Sequence, residues 1–97
     1  MRVRYTPRAN SDLHELHSYI SRQSPAAATR VCDRIRSVAS RLSEEPRRGR
    51  EVEQRPGVRQ IAVVHYPYAI YFAIENGEVV IVHIRHTARQ TPKADEL

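Results

Sequence analysis

The sequence is poor in several residue types that support particular architectures. It has one cysteine, Cys32, no tryptophan and only three glycines among 97 residues. A single cysteine cannot form an internal disulfide, so the fold must be held by its core rather than by a disulfide framework. The few glycines form no glycine-rich phosphate-binding loop, and neither a Walker motif nor a Ser-His-Asp set is recognisable.

Long apolar runs are also missing. No stretch approaches the roughly 18 apolar residues of a membrane-spanning helix. The N-terminal segment MRVRYTPRANSDL lacks the apolar region of a secretory signal. Hydrophobic residues still make up 40% of the chain, close to the share in ordinary globular proteins. One domain over residues 1–97 is therefore expected, located in the cytoplasm and without membrane contact.

Lysine is almost absent, so arginine carries nearly all the positive charge. Lys93 is the only lysine among 16 basic residues, and the formal net charge is +5. The planar guanidinium of arginine suits phosphates and carboxylates, which favours nucleic acid, an acidic protein, or both as partners. A solvated basic surface with no specific partner is the alternative interpretation.

Two amphipathic helices are predicted in the first half of the chain. Each has a hydroxyl N-cap followed by proline at the first helical position, namely Thr6-Pro7 and Ser24-Pro25. Apolar residues at helical spacing follow both signals and predict helices over 7–22 and 25–44. The short link between them predicts an antiparallel hairpin.

The remainder of the chain has the alternation of strands. Strands are predicted at 58–65, 68–74 and 79–86, in addition to a first strand at 1–5, with a loop over 46–57. Asn76-Gly77 predicts a tight turn between the last two strands.

The last strand is apolar on both faces through Ile84 and is therefore expected near the sheet centre. The predicted fold is α+β: an N-terminal strand and an antiparallel helical hairpin packed on an antiparallel sheet, in the order β-α-α-β-β-β. Residues 90–97 are predicted to form a flexible tail.

Short motifs follow one another in a fixed order from Val3 to Pro92. They are Tyr5 and Ala9 ahead of Asp12-Leu13, Tyr19-Ile20, Pro46-x-x-Gly49-Arg50, Gly57-Val58-Arg59, Pro67-Tyr68-x-Ile70-Tyr71-Phe72 and Val82-x-Ile84-x-His86-x-x-Arg89. Each motif is weak alone. In this order and spacing, the chain resembles the ParE/RelE superfamily of toxins from type II toxin–antitoxin systems, and it looks closer to ParE.

The resemblance implies a RelE/ParE-like α+β fold and a cognate antitoxin whose acidic tail wraps the toxin. It also implies one of two targets. ParE-like toxins inhibit DNA gyrase and block replication, whereas RelE-like toxins cut messenger RNA in the ribosomal A site. A DNA-binding module is a third interpretation, but no helix-turn-helix spacing is visible, and in such systems DNA contact usually belongs to the antitoxin.

A metal-free ribonuclease would need a general base, a general acid and positive charge beside the phosphate. The candidates for these catalytic roles are His86, Arg59, Arg89 and Tyr71. RelE-like nucleases resemble one another in basic residues on the middle strands and a tyrosine or histidine near the C-terminus. This chain has no lysine in its strands and no tyrosine after Tyr71. These absences favour a gyrase inhibitor, for which no catalytic residue is expected.

Arg50, Arg59, Arg85 and Arg89 are the candidates for binding the antitoxin or the target, because guanidinium groups grip carboxylates and phosphates. No cofactor and no metal are expected. His83 and His86 form an H-x-x-H pair, but residues three apart in a strand point to opposite faces. A structural histidine bonded to a loop carbonyl is the alternative for His86, and core packing is the alternative for Tyr71.

Overall fold

The structure is a computed structural model that describes residues 1–88, so the predicted tail at 90–97 lies outside the described residues. In chain order the elements are β1 (Arg2–Tyr5), α1 (Pro7–Ser21), α2 (Pro25–Arg41), β2 (Arg50–Glu51), β3 (Val58–Val63), β4 (Tyr68–Glu75) and β5 (Glu78–His86). The predicted α+β fold is confirmed. Within residues 1–88, neither helix is long and apolar enough to cross a membrane.

The five strands form one sheet in the order β1-β5-β4-β3-β2. β1 runs parallel to β5, and the other neighbours are antiparallel. The first strand therefore joins the sheet beside the last one, which is a pairing that the sequence alone leaves open. β5 is an internal strand as expected, but β4 takes the central position.

Both helices begin where their capping signals predict. The hydroxyl of Thr6 accepts a hydrogen bond from the backbone N–H of Ala9, and that of Ser24 accepts one from Ala27, each at 3.1 Å. α2 ends at Arg41 rather than at residue 44. The three residues beyond it continue in tight turns with i→i+3 hydrogen bonds, which satisfy the last carbonyls of the helix.

The apolar stripes of both helices pack on one face of the sheet. Ile35 of α2 and Ile70 and Phe72 of β4 are completely buried in this core. A smaller cluster, containing Val58 and Tyr71, forms a second buried group with Val52 of the connecting loop. Tyr71 is 1% exposed, so its core placement is confirmed.

The segment predicted as a loop over 46–57 contains a two-residue strand, β2, which pairs with Arg59 and Gln60 of β3. Gly49 allows this segment to lie close to the sheet. A Cβ at Gly49 would stand 2.7 Å from the Phe72 ring and 3.0 Å from the Gln60 carbonyl oxygen. The glycine of the Pro46-x-x-Gly49-Arg50 motif is therefore explained by close packing.

The two hairpin connections show how local backbone geometry sets strand ends. Asn76 and Gly77 have φ values of 49° and 73°, which suit the predicted tight turn. β3 stops at Val63 instead of residue 65. His65 has a φ of 74°, a left-handed conformation that a strand cannot contain, so the chain turns there toward β4.

Candidate binding surfaces

A buried polar contact joins α1 to the part of β5 that does not pair with β1. β1 pairs with β5 only as far as Ile81, so among the described residues no strand lies beside the edge of β5 beyond it. The Asp12 carboxylate occupies this place. Its Oδ2 accepts the backbone N–H of Ile84 at 3.0 Å and lies 2.6 Å from Nδ1 of His83. Asp12 thus gives β5 one of the hydrogen bonds that another strand would supply.

The ionised form of Asp12 is favoured by its surroundings. Burial acts to raise the pKa of the carboxyl group, but hydrogen bonds from His83 and from the Ile84 backbone, with the charges of His83 and Arg8, hold it below its ordinary value. Arg8 approaches the carboxylate at 3.4 Å. Because an ionised carboxylate can only accept, Nδ1 of His83 carries the proton of this contact.

His83 and His86 point to opposite faces of the sheet, as residues three apart in a strand should, because the β-bulge in β5 precedes both of them. Tyr71 is opposite His83 but Phe72 is opposite Ile81, so Val82 is an extra residue in β5. His83 is buried against Asp12, whereas His86 lies at the strand end beside Tyr68. In residues 1–88, no group of three or more His, Cys, Asp or Glu side chains could hold a metal ion.

His86 is held by an aromatic contact and by the chain that follows it. Its ring meets Tyr68 edge-on, with centroids 5.3 Å apart and an interplanar angle of 81°. Nδ1 of His86 accepts the backbone N–H of Ala88 at 3.1 Å. Within residues 1–88, the histidine therefore bonds to a loop N–H rather than to a loop carbonyl, and in its neutral ring the proton is on Nε2.

Two of the candidate arginines make contacts within the fold. Arg59 donates from Nη1 to the Gly49 carbonyl at 2.8 Å and approaches Glu51 at 3.7 Å. These contacts join β3 to β2 and to the residue just before it. Arg85 donates from Nε to the hydroxyl of Tyr71 at 2.8 Å. It also donates from Nη1 to the backbone carbonyl of His86 at 3.1 Å.

The candidate catalytic residues do not meet at one point in the described part of the chain. His86 lines a pocket beside α1, Tyr71 belongs to the cluster around Val52 and Val58, and Arg59 bonds to Gly49. Arg50 is exposed on β2. Arg89 lies outside the described residues.

A groove between α2 and β3 was not predicted from the sequence; we call it the arginine groove. Its apolar wall includes Val38, Leu42, Ile61 and the 58%-exposed Val64. Arg34, Arg41 and Arg48 also line it. β2 pairs only with Arg59 and Gln60, so the edge of β3 from Ile61 onward has no strand beside it in the described structure. The spacing of Arg34 and Arg41, two helical turns apart, was the sequence signal available for this groove.

A second opening lies between α1 and the ends of β4 and β5; we call it the aromatic pocket. It is lined by Asp12, Glu15, Leu16, Tyr19, Tyr68, Ile84 and His86. None of these lining residues is an arginine or a lysine. Tyr19 is 64% exposed, so its ring is available at the mouth of the pocket.

A family model described as "ParE toxin of type II toxin-antitoxin system, parDE" matches residues 3–91. The chain belongs to this toxin family. It is 41% identical over 87 residues to "Toxin RelE2" of Caulobacter vibrioides, covering 90% of this chain and 96% of that protein. A solved structure titled "Chromosomal ParDE TA system from P. aeruginosa" superposes with a TM-score of 0.78 at 25% identity, covering 89% of this chain and 95% of that one.

These likenesses make the chain a toxin of a type II toxin–antitoxin system in the ParE/RelE superfamily. Family membership and the ParDE structure also support an antitoxin as its partner. The names of the relatives point to both branches, since one carries the name RelE2 and the other ParDE.

Proposed function

We propose that this toxin is neutralised by a cognate antitoxin in the cytoplasm and that, when released, it inhibits DNA gyrase, blocks replication and arrests growth. The observation that carries the choice of target is the separation of His86, Tyr71 and Arg59 into different parts of the structure. Gyrase inhibition needs a contact surface, whereas ribonuclease chemistry needs converging groups.

Proton transfer is the step for which a ribonuclease would lack suitable groups in this structure. Arginine holds its proton at any working pH and is a poor base. Tyr71 is buried, and its hydroxyl already accepts from Arg85. Nδ1 of His86 is taken by the Ala88 N–H, so His86 offers only Nε2 to a substrate.

The arginine groove is our candidate for the antitoxin contact. An extended acidic segment could pair with the free edge of β3, place apolar side chains against Val38 and Ile61, and set carboxylates against Arg34 and Arg41. Arg59 is a weaker candidate than its sequence position suggested, because it already bonds to Gly49 and lies near Glu51. DNA contact would come mainly through the antitoxin.

The target can be tested with purified components in parallel reactions. One contains toxin, gyrase and a relaxed plasmid; the other contains toxin, ribosomes and a defined messenger RNA. We expect loss of supercoiling in the first and intact messenger RNA in the second. Codon-positioned cuts together with normal supercoiling would contradict the proposal and support the ribonuclease.

A RelE-like, ribosome-dependent ribonuclease remains the second candidate function. The relative named RelE2 and the Arg85–Tyr71 contact on the sheet favour it. His86→Gln separates the two functions, because loss of a general acid or base costs about 10²–10⁴-fold in rate. A nuclease should lose most of its toxicity in this variant, while a gyrase inhibitor should retain its supercoiling effect unless His86 lies in the contact.

A further inference from the structure

The aromatic pocket has a chemistry unlike that of the rest of this basic protein. We propose that it binds a basic side chain, arginine or lysine, of the antitoxin. The inference rests on the proposed antitoxin partner and adds a second contact to the arginine groove.

The charge of the pocket comes from Glu15. Asp12 is satisfied by Ile84, His83 and Arg8 and is therefore committed to the fold. Glu15 is exposed, and it makes no hydrogen bond or ion pair with another residue of the described range 1–88. Its carboxylate is thus available to a cation from outside the chain.

The rings around Glu15 suit a cation as well. Tyr19, Tyr68 and His86 line the same pocket, and the neutral His86 ring adds no positive charge when its Nδ1 accepts from Ala88. A guanidinium or ammonium group is attracted to aromatic faces, and an adjacent carboxylate adds a direct ion pair. A phosphate or a carboxylate would instead be repelled by Glu15.

The position of the pocket points to the same partner that we place in the arginine groove. Val64 lines the groove and Tyr68 lines the pocket, so three turn residues, 65–67, separate the two openings along the chain. A segment leaving the groove across this turn would reach the pocket. The antitoxin would then present acidic groups to α2 and a basic group to α1.

The pocket can be tested without the antitoxin by using matched small probes. The probes are Nα-acetylarginine amide and its neutral isostere Nα-acetylcitrulline amide, titrated into the purified toxin while the ring signals of Tyr19, Tyr68 and His86 are followed by NMR. We expect saturable shifts with the arginine probe and binding about tenfold weaker with the citrulline probe. Glu15→Gln should remove this preference, whereas Glu75→Gln, at an exposed site on β4, should keep it.

Equal binding of both probes, or an unchanged preference for the arginine probe in Glu15→Gln, would overturn the proposal that the pocket binds a basic side chain. The occupant is tested separately by measuring antitoxin affinity for wild type, Glu15→Gln and Glu75→Gln. We expect about a tenfold loss in Glu15→Gln alone. Equal affinities for all three would overturn the antitoxin as occupant and leave the proposed function intact. A wild-type toxin that binds no antitoxin would overturn the proposed partnership itself, whatever the probes show.

Discussion

The arginine groove and the aromatic pocket lie beside different helices of the same hairpin, and they differ in both charge and side-chain type. The groove is lined by Arg34, Arg41 and Arg48 around aliphatic side chains. The pocket has tyrosine and histidine rings and two carboxylates, and within residues 1–88 no arginine or lysine lines it. Net charge therefore describes the long-range field of this toxin but not the chemistry of each contact.

The two openings also differ in how their walls are held. At the pocket, α1 is joined to β5 by the buried contact of Asp12 with His83 and the Ile84 backbone. At the groove, α2 meets β3 through apolar packing that includes Val38 and Ile61. The same hydrophobic core lies under the groove and the pocket. A substitution in the core should therefore affect both openings, whereas a substitution in the wall of one opening should affect that opening alone.

Ile35→Asp should have the largest effect, because it removes the support that both openings share. Ile35 is completely buried, and an unpaired charge at this position should cost several kcal/mol. Since a domain of this size has only about 5–15 kcal/mol of stability, we expect an unfolded protein. Circular dichroism with urea titration measures this. A cooperatively folded Ile35→Asp protein would contradict the packing of α2 on the sheet.

The elements that define the core could be predicted from local signals. Thr6-Pro7 and Ser24-Pro25 start the helices because caps act within one turn, and Asn76-Gly77 turns the last hairpin because its backbone preference is local. β2 escaped prediction because it has only two residues, both charged, and therefore no apolar alternation.

The walls of the two openings depend on contacts between distant residues. Within residues 1–88, the parallel pairing of β1 with β5 ends at Ile81, and this leaves the Ile84 N–H to the Asp12 carboxylate. The bulge at Val82 shifts the alternation along β5, so faces counted from the start of the strand no longer hold beyond it. His83 and His86 both follow the bulge and still point to opposite faces, as their spacing predicts.

Asp12→Asn should weaken the pocket side selectively and should change the response to acid. The variant loses a charge-assisted contact with His83 that is mostly buried, at a cost of about 2 kcal/mol at neutral pH. The pKa of Asp12 is lower in the fold than its ordinary value, so ionisation stabilises the fold fully above about pH 4. That stabilisation is lost as the pH falls from there toward the folded-state pKa.

The free energy of unfolding of wild type should therefore fall more steeply in acid than that of Asp12→Asn, and the gap between the two proteins should narrow. Asp33→Asn is the matched control, because Asp33 is exposed on α2 and its approach to Arg36 is 4.0 Å. Urea titrations at neutral and acid pH would measure all three proteins. A constant gap between wild type and Asp12→Asn would show that Asp12 is not the titrating group.

Arg34→Gln should have the smallest effect, on the rate of antitoxin association rather than on stability. Arg34 lines the groove and Arg30 lies about one turn earlier on α2 outside the groove lining, and both are exposed. If the partner is acidic, charge near the docking site steers its approach, and the Debye length of about 10 Å at 0.1 M salt shrinks to about 3 Å at 1 M. Arg34→Gln should slow association a few-fold at low salt, Arg30→Gln should slow it less, and all three proteins should converge at 1 M salt. Stopped-flow mixing over a salt series measures these rates. Each variant removes one positive charge, so the two differ only in where that charge lies. Equal slowing in both would mean that net charge alone steers the partner, and that the groove has no special role in association.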